Sequence, residues 1–195
     1  MKQKIVLGIA GGLGAGKTTV TDLLVQKGAV KIDADRAGHR ILENGNIKEE
    51  IVKRLGEEIL SGGAIDRARL RKLVFTDKSR LEILNSIVHP LILERIKKEV
   101  DGISGGVVVI DAALLVEMGV HELVDLFVLV DAGREVRLER AQMRGISRDE
   151  AERIIDSQAD SEEARNLADH VIDNNNDMAI LKEGVDELWR KVQGL

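Results

Sequence analysis

The segment from Gly11 to Thr18 has the residue types and spacing of a phosphate-binding loop, because it fits the pattern GxxxxGK[ST]. Its glycines permit positive φ angles, so backbone amide groups can approach phosphate oxygens closely. Lys17 would supply positive charge to the β- and γ-phosphates, and the Thr18 hydroxyl would coordinate Mg²⁺. The pattern therefore predicts a P-loop that binds a nucleoside triphosphate. The residues expected around it are Gly11, Gly12, Leu13, Gly14, Ala15, Gly16, Lys17, Thr18 and Thr19.

Carboxylates at the ends of two expected strands suit metal binding and proton transfer. Asp111 follows the apolar run Val107–Ile110, where P-loop enzymes place the acid that orients the Mg²⁺ shell. Asp33 and Asp35 close an earlier strand, and one of them could orient an acceptor hydroxyl and take its proton. Helix capping is the alternative for each acid, since aspartate is a good N-cap residue.

The chain contains one partial signal for GTP. Asp35 opens a DxxG sequence, which is typical of GTPase switches, but no guanine-reading NKxD sequence occurs anywhere. The GTPase interpretation is therefore discounted.

A run of arginines falls on one face of an expected helix. Their spacings of three, three and four residues place them within about 120° of one another at about 100° per residue. Such a face suits a lid that closes over triphosphate, and Arg140 and Arg144 are favoured for that role. Ordinary pairing with Glu135, Glu139 and Glu150 is the alternative. The arginines are Arg134, Arg137, Arg140 and Arg144.

Short apolar runs predict the strands that must position these side chains. They alternate with helical stretches, which is typical of a parallel, doubly wound α/β sheet. A helix is expected from Lys17 to Gln26, ending at Gly28. The expected strands are Lys4–Ala10, Ala29–Asp33, Val107–Asp111, Leu126–Val130 and His170–Asp173.

A long helical segment interrupts this alternation. Between Ala34 and Val100 apolar residues recur at helical spacing, and no strand is expected. About residues 36–100 are therefore interpreted as an acceptor-binding subdomain. Pro90 is expected to kink or restart a helix, and the adjacent His89 is interpreted from spacing alone as structural.

The arginine-rich region is expected to form a second helical insertion. Arg134–Ala159 reads as two helices broken at Gly145, with a capping box from Ser147 to Glu150. We interpret about residues 134–160 as a lid within a single P-loop domain of residues 1–195.

The composition favours a small-molecule enzyme. The chain has 195 residues, a net charge of −5, no cysteine and only three aromatic residues, which argues against nucleic-acid binding by stacking or by a basic surface. No apolar run approaches the roughly 20 residues of a membrane span. A cytoplasmic location without nucleic-acid or membrane partners is expected, and monomer or small homo-oligomer is left open.

Taken together, the ordered motifs resemble those of the dephospho-CoA kinase family over nearly the whole chain. The P-loop alone is shared by many NTPases, whereas the ordered set is much more specific. The set comprises Gly8–Thr19, Ile32-Asp-Ala-Asp35, Ile65-Asp-Arg67 with Leu70 and Phe75, Leu84-Asn85 with Val88-His89-Pro90, Asp111 with Leu114-Leu115 and Glu117, Arg137-Leu-Glu-Arg140, Arg153-Ile154 before Gln158, and Ala168-Asp169 before Ile172-Asp-Asn174.

The resemblance implies a nucleotide-kinase-like fold: a five-stranded parallel sheet with helices on both faces, a helical CoA-binding insertion and a short lid. It implies transfer of the ATP γ-phosphate to the ribose 3′-hydroxyl of dephospho-CoA, giving coenzyme A and ADP. Asp35 would face that hydroxyl, and Lys17 and Arg140 would stabilise the migrating phosphoryl group. Asn174–Asn176 would lie by the adenine. His89, Leu114 and Glu117 would belong to the acceptor side.

Three positions depart from the family pattern. Ala113 stands where the family usually has proline, Val116 where it has phenylalanine, and Asn176 where it has glycine. Asparagine tolerates left-handed backbone angles, so the turn near the adenine can survive.

Rival interpretations are a kinase of the same fold that phosphorylates a nucleoside monophosphate or another small alcohol, and a regulatory ATPase without a small acceptor.

Overall fold

The computed structural model describes residues 4–112, 115, 119–158 and 161–194. The strands are β1 (Lys4–Ala10), β2 (Val30–Asp33), β3 (Leu60–Ser61), β4 (Ala64–Ile65), β5 (Gly106–Asp111), β6 (Leu126–Asp131) and β7 (His170–Asp173). The helices are α1 (Lys17–Gln26), α2 (Ala34–Leu42), α3 (Gly45–Leu55), α4 (Arg67–Thr76), α5 (Lys78–Asp101), α6 (Arg134–Met143), α7 (Arg148–Ser157), α8 (Ser161–Leu167) and α9 (Met178–Gln193). Short 3₁₀ turns cover Glu57–Ile59 and Val120–Leu123.

A parallel five-stranded sheet of order β2-β5-β1-β6-β7 forms the centre of the fold. β1 lies in the middle and is followed directly by the phosphate loop. Asp33 and Asp111 are partners in the register of β2 and β5, so both acids stand at the carboxyl edge of the sheet, where α/β sites assemble. The sheet confirms the predicted α/β class and the five expected strands.

The core beneath this edge consists of aliphatic side chains. Leu7 and Ile9 of β1 are fully buried, as are Val20 and Leu24 of α1 and Leu188 of α9. Full burial of such a side chain stabilises the fold by roughly 1.5–3 kcal/mol. The half-buried Trp189 packs against the same cluster. The strand and helix that flank the phosphate loop are therefore anchored in one core.

The chain divides into two compact units. The core unit comprises Met1–Asp33 and Val100–Leu195, as far as these ranges are described, and the insertion unit is Ala34–Glu99. The expectation that no strand lies in the insertion is wrong, because β3 and β4 pair as an antiparallel hairpin. Gly62 and Gly63 form its turn with φ angles of 60° and 79°, and positive φ at both central residues is what a two-residue type I′ turn requires. Each strand has only two residues, too few for an alternating pattern.

Helix α5 continues without interruption through Pro90, so no new helix begins there. Proline removes one backbone donor and usually breaks a helix. Here the buried side chains Val88, Ile92 and Ile96 lie on both sides of it and hold the helix by packing. No helix in the described part of the chain, α5 included, is long and apolar enough to cross a membrane.

Helices α6 and α7 confirm the two helices predicted for the arginine-rich region. Gly145 separates them with a φ angle of 84°, a left-handed value that favours glycine after a helix. The amide of Glu150 donates to Ser147 Oγ at 3.3 Å, so Ser147 is the N-cap of α7 as its position predicted.

Candidate active site

The phosphate loop joins β1 to α1 and has the backbone of an anion site. Gly14 and Gly16 have φ angles of 75° and 102°, which other residues rarely adopt. A Cβ on Gly14 would lie 2.8 Å from the Cα of Arg137, so no side chain fits there. α1 begins after Gly16 without a side-chain cap, which leaves its first amides and its positive end for a ligand.

Two lysines share one buried carboxylate beside this loop. Lys17 Nζ contacts Asp111 Oδ1, and Lys31 Nζ lies 2.6 Å from Asp111 Oδ2. Asp111 is only 6% exposed, and a buried carboxylate is stable only when it is paired. The pairing places the loop lysine and the expected metal-binding acid in direct contact.

The charges of this cluster stabilise its ionised form. Burial by itself raises the pKa of Asp111, but hydrogen bonds and charges from Lys17 and Lys31 outweigh it and hold the pKa below its usual value. Burial likewise lowers the pKa of Lys31. Contact with Asp111 and the charges of Asp33 and Asp22 raise it above its usual value. Asp111 is therefore an anion at neutral pH and can attract a cation.

Arg137 of α6 supports the phosphate loop from outside. Its Nε donates to the Leu13 carbonyl at 2.8 Å, and its terminal nitrogen donates to Gln158 Oε1 at 2.9 Å. The Leu13 amide donates to the same Gln158 oxygen at 2.9 Å. Arg137 is 8% exposed, so its guanidinium is a buried part of the loop's scaffold.

Arg140 and Asn174 contact the next two residues of the loop, Gly14 and Ala15. An Arg140 nitrogen donates to the Gly14 carbonyl at 3.3 Å, and Asn174 Nδ2 donates to the Ala15 carbonyl at 2.7 Å. Arg140 also reaches Asn174 Oδ1 at 3.5 Å. Asn174 is buried and its backbone amide donates to the Asp131 carbonyl at 2.8 Å. This asparagine thus links the end of β7 to the phosphate loop.

A cleft opens next to these two residues. It carries guanidinium, amide and thioether groups, and its rim holds the exposed Met143, Arg144 and Met178. Flat or polarizable groups of this kind suit a planar ring. The lining residues are Gly14, Gly16, Thr19, Arg140, Met143, Arg144, Asn174, Asn176, Met178 and Leu181.

The remaining arginine of the expected face has a different environment. Arg134 is exposed and pairs with Asp156 of α7, so the ordinary-pairing interpretation applies to it, although with another partner than those considered. The arginines of one helix face therefore divide: Arg137 and Arg140 contact the loop, Arg144 lines the cleft, and Arg134 pairs at the surface.

The residues expected on the acceptor side belong to the insertion unit or lie outside the described residues. Asp35 is the second residue of α2, and its side chain is outside the description. His89 is half-buried on α5, and burial lowers its pKa. Leu114 and Glu117, with the departures Ala113 and Val116, are outside the described residues.

Three contributions to this site were not assigned from the sequence. Lys31 could have been proposed from the sequence, because side chains alternate along a strand and Lys31 therefore lies on the same face of β2 as Asp33. Arg137 was grouped with its helix neighbours, and Gln158 was noted only within the family pattern. Nothing local distinguishes them, because their partners are 124 and 145 residues away along the chain.

Comparison with known proteins gives consistent matches over nearly the whole chain. The family model described as dephospho-CoA kinase matches residues 5–179. A dephospho-CoA kinase from Fusobacterium nucleatum is 36% identical over 191 residues, covering 97% of this chain and 95% of that protein. A Thermus thermophilus structure superposes with a TM-score of 0.85 at 34% identity, covering 98% and 99% of the two chains. For a dephospho-CoA kinase from Campylobacter jejuni the TM-score is 0.73 at 27% identity, with 98% of each chain covered.

Proposed function

The chain belongs to the dephospho-CoA kinase family, and we propose that its residues transfer the γ-phosphate of ATP to the ribose 3′-hydroxyl of dephospho-CoA as follows. The acceptor oxygen bonds to the γ-phosphorus while the bond from that phosphorus to the β,γ-bridging oxygen breaks. Coenzyme A and ADP are the products, and the hydroxyl proton leaves to a base. The observation that carries the proposal is a phosphate loop whose Lys17 contacts the buried Asp111 in a chain with this family's full-length pattern.

The loop and Lys17 would bind the triphosphate. The positive φ angles of Gly14 and Gly16 and the uncapped start of α1 support a ring of amide donors around the phosphates. Lys17 would exchange Asp111 for the β- and γ-phosphates and neutralise charge as the phosphoryl group moves. In-line transfer needs mainly such positioning and charge stabilisation.

Thr18 and Asp111 would hold Mg²⁺. No group of three or more His, Cys, Asp or Glu side chains that could hold a metal ion occurs among the described residues, but Mg²⁺ needs none, since it binds through one or two carboxylates, phosphates and waters. The ionised, buried Asp111 at the sheet edge and the exposed Thr18 at the start of α1 fit that requirement. Bound Mg²⁺ would neutralise charge on the β- and γ-phosphates.

Asp35 would accept the proton of the 3′-hydroxyl. It follows Asp33, the last residue of β2, by two positions, and the family resemblance assigns it to this hydroxyl. A general base typically contributes about 10²–10⁴-fold to the rate. The insertion unit, with His89, and the positions Leu114 and Glu117 would bind the rest of dephospho-CoA.

Helices α6 and α7 would form the lid. Arg140 already contacts the loop at Gly14 and would stabilise the migrating phosphoryl group. Arg144, Asn174 and Asn176 line the cleft beside the loop, and we propose that this cleft receives the adenine. The cytoplasmic location and the choice between monomer and small homo-oligomer stay predictions.

Acceptor-dependent ADP release tests the proposal. The enzyme is given Mg-ATP with dephospho-CoA, AMP or adenosine, and initial rates are compared. We expect fast release with dephospho-CoA and near-background rates with the other two acceptors. Comparable rates with AMP would favour a nucleoside monophosphate kinase, and release that no small acceptor changes would favour a regulatory ATPase.

A further inference from the structure

Lys31 makes a contact that the phosphate loop pattern does not explain. It lies on β2 opposite Val109 of the neighbouring strand β5, and its Nζ is 2.6 Å from Asp111 Oδ2. Lys17 contacts the other oxygen of the same carboxylate. The two ammonium groups thus approach Asp111 from different elements, one from the loop and one from the sheet.

The two contacts differ in what nucleotide binding must do to them. Lys17 has to leave Asp111 when it moves to the triphosphate, and a carboxylate that is 6% exposed is destabilised when it loses its partners. The phosphate-loop pattern assigns Lys31 no contact with the phosphates, and its side chain, 29% exposed, comes from a strand whose backbone is fixed by pairing with β5. It can therefore keep its contact throughout the reaction.

We propose that Lys31 is a positioning residue for Asp111: it fixes Oδ2, so that Oδ1 stays directed at the phosphate loop after Lys17 has moved away. This inference rests on the proposed function, because it requires Asp111 to hold Mg²⁺. Lys31 acts through Asp111 and touches neither substrate nor reacting atoms. Groups that orient a metal ligand in this way typically change metal affinity or activity by about 10–100-fold when removed.

The test is the Mg²⁺ concentration that gives half-maximal binding of a non-hydrolysable ATP analogue, measured by calorimetry, together with the same midpoint for turnover. Lys31→Met should raise both midpoints by about 10-fold. Lys31→Arg keeps a cation within reach of Oδ2 and should restore most of the wild-type midpoint. The melting temperature of each variant is measured by thermal unfolding, and the assays are run below the lowest of these temperatures.

Lys27→Met is the matched control. Lys27 also pairs with an aspartate, Asp186, in the core unit, and its side chain is 30% exposed, but it lies just beyond the end of α1 away from the loop. Its loss should leave the Mg²⁺ midpoint unchanged. A Lys31→Met enzyme that melts earlier but keeps the wild-type midpoint would overturn the proposal, because Lys31 would then only stabilise the fold.

Asp111→Asn separates the two possible failures. If Asp111→Asn raises the midpoint and Lys31→Met does not, the inference about Lys31 is wrong and the metal role of Asp111 stands. If neither substitution moves the midpoint, the metal role of Asp111 fails as well. A shift in both, with restoration by Lys31→Arg, supports the inference.

Discussion

The polar contacts within the core unit differ from those within the insertion unit. In the core unit, buried polar side chains connect distant parts of the chain: Asn174 and Ala15 are 159 residues apart, and Arg137 and Leu13 are 124 apart. In the insertion unit, polar contacts are more local and exposed, such as the pair of Arg95 and Glu99, four residues apart on one helix.

This difference matches the two tasks proposed for the units. Phosphoryl transfer depends on groups that are held in place before the reaction, because having to reorient them during the reaction would lower its rate. The buried network around Lys17 and Asp111 provides such groups for the nucleotide. Acceptor recognition can rely on a unit whose surface pairs are individually weak. Substitutions in the two units should therefore differ in size and in what they affect.

The largest effect is expected from Lys17→Ala. It removes the charge proposed for the phosphates and one partner of Asp111, so kcat/KM for ATP should fall by about 10³-fold or more. ADP release gives the rate, and calorimetry gives ATP affinity. Lys98→Ala, which removes an exposed lysine of the insertion unit, should leave both unchanged. An active Lys17→Ala enzyme would refute the assigned role of the loop.

Asp35→Asn sharpens the comparison, because it places a chemical role in the insertion unit. We expect kcat to fall by about 10²-fold or more, since the base is lost, while ATP affinity stays near the wild-type value. Single-turnover kinetics and ATP titration measure the two separately. Near-normal turnover would remove Asp35 from the mechanism, and a parallel loss of ATP binding would assign it to the nucleotide instead.

Arg137→Leu and Arg144→Leu compare a buried and an exposed arginine within the core unit. Loss of Arg137 leaves the Leu13 carbonyl without this donor, and Gln158 Oε1 keeps only the Leu13 amide, so the free energy of unfolding should drop by about 1–3 kcal/mol. Arg144→Leu should change it by no more than about 0.5 kcal/mol and act on KM for ATP. Denaturant titration of both variants checks this, and equal stability losses would contradict it.

The smallest effect is expected from Arg95→Ala in the insertion unit. Its pair with Glu99 is exposed and lies within one helix, and such pairs contribute about 0.3–0.5 kcal/mol. Denaturant titration should show a change of that size or less, with kcat unchanged. A loss above about 1 kcal/mol would show that the insertion unit depends on its surface pairs more than the comparison assumes.

Local patterns in the sequence predicted the elements that carry their signal within a few residues. The phosphate loop is one contiguous motif, the strands are apolar runs, and Gly145 with Ser147 marks the break between α6 and α7. The β3–β4 hairpin was missed because its strands are too short for a pattern, although Gly62-Gly63 is a typical turn pair. The passage of α5 through Pro90 depends on packing on both sides, which the proline itself does not reveal.

From the sequence, candidate site residues could be proposed where a residue type at a motif position suits one chemical role. Contacts between side chains from different strands could not be predicted in this way. Lys17, Thr18 and Asp111 were selected from motif and position alone; the structure brings Lys17 and Asp111 into contact, and the roles of all three stay predictions. The contact of Lys31 with Asp111 requires that β2 pair with β5. The residues of an individual strand do not reveal which strand lies next to it in the sheet. The division of the arginines on α6 likewise depends on where the phosphate loop lies relative to that helix.

The position of the transferred phosphoryl group tests the central claim most directly. The enzyme is incubated with Mg-ATP and either dephospho-CoA or its analogue lacking the ribose 3′-hydroxyl, and the products are analysed by mass spectrometry. The account predicts a gain of one phosphoryl group on dephospho-CoA and none on the analogue. Phosphorylation of the analogue, or ADP release from dephospho-CoA without a phosphorylated product, would contradict it.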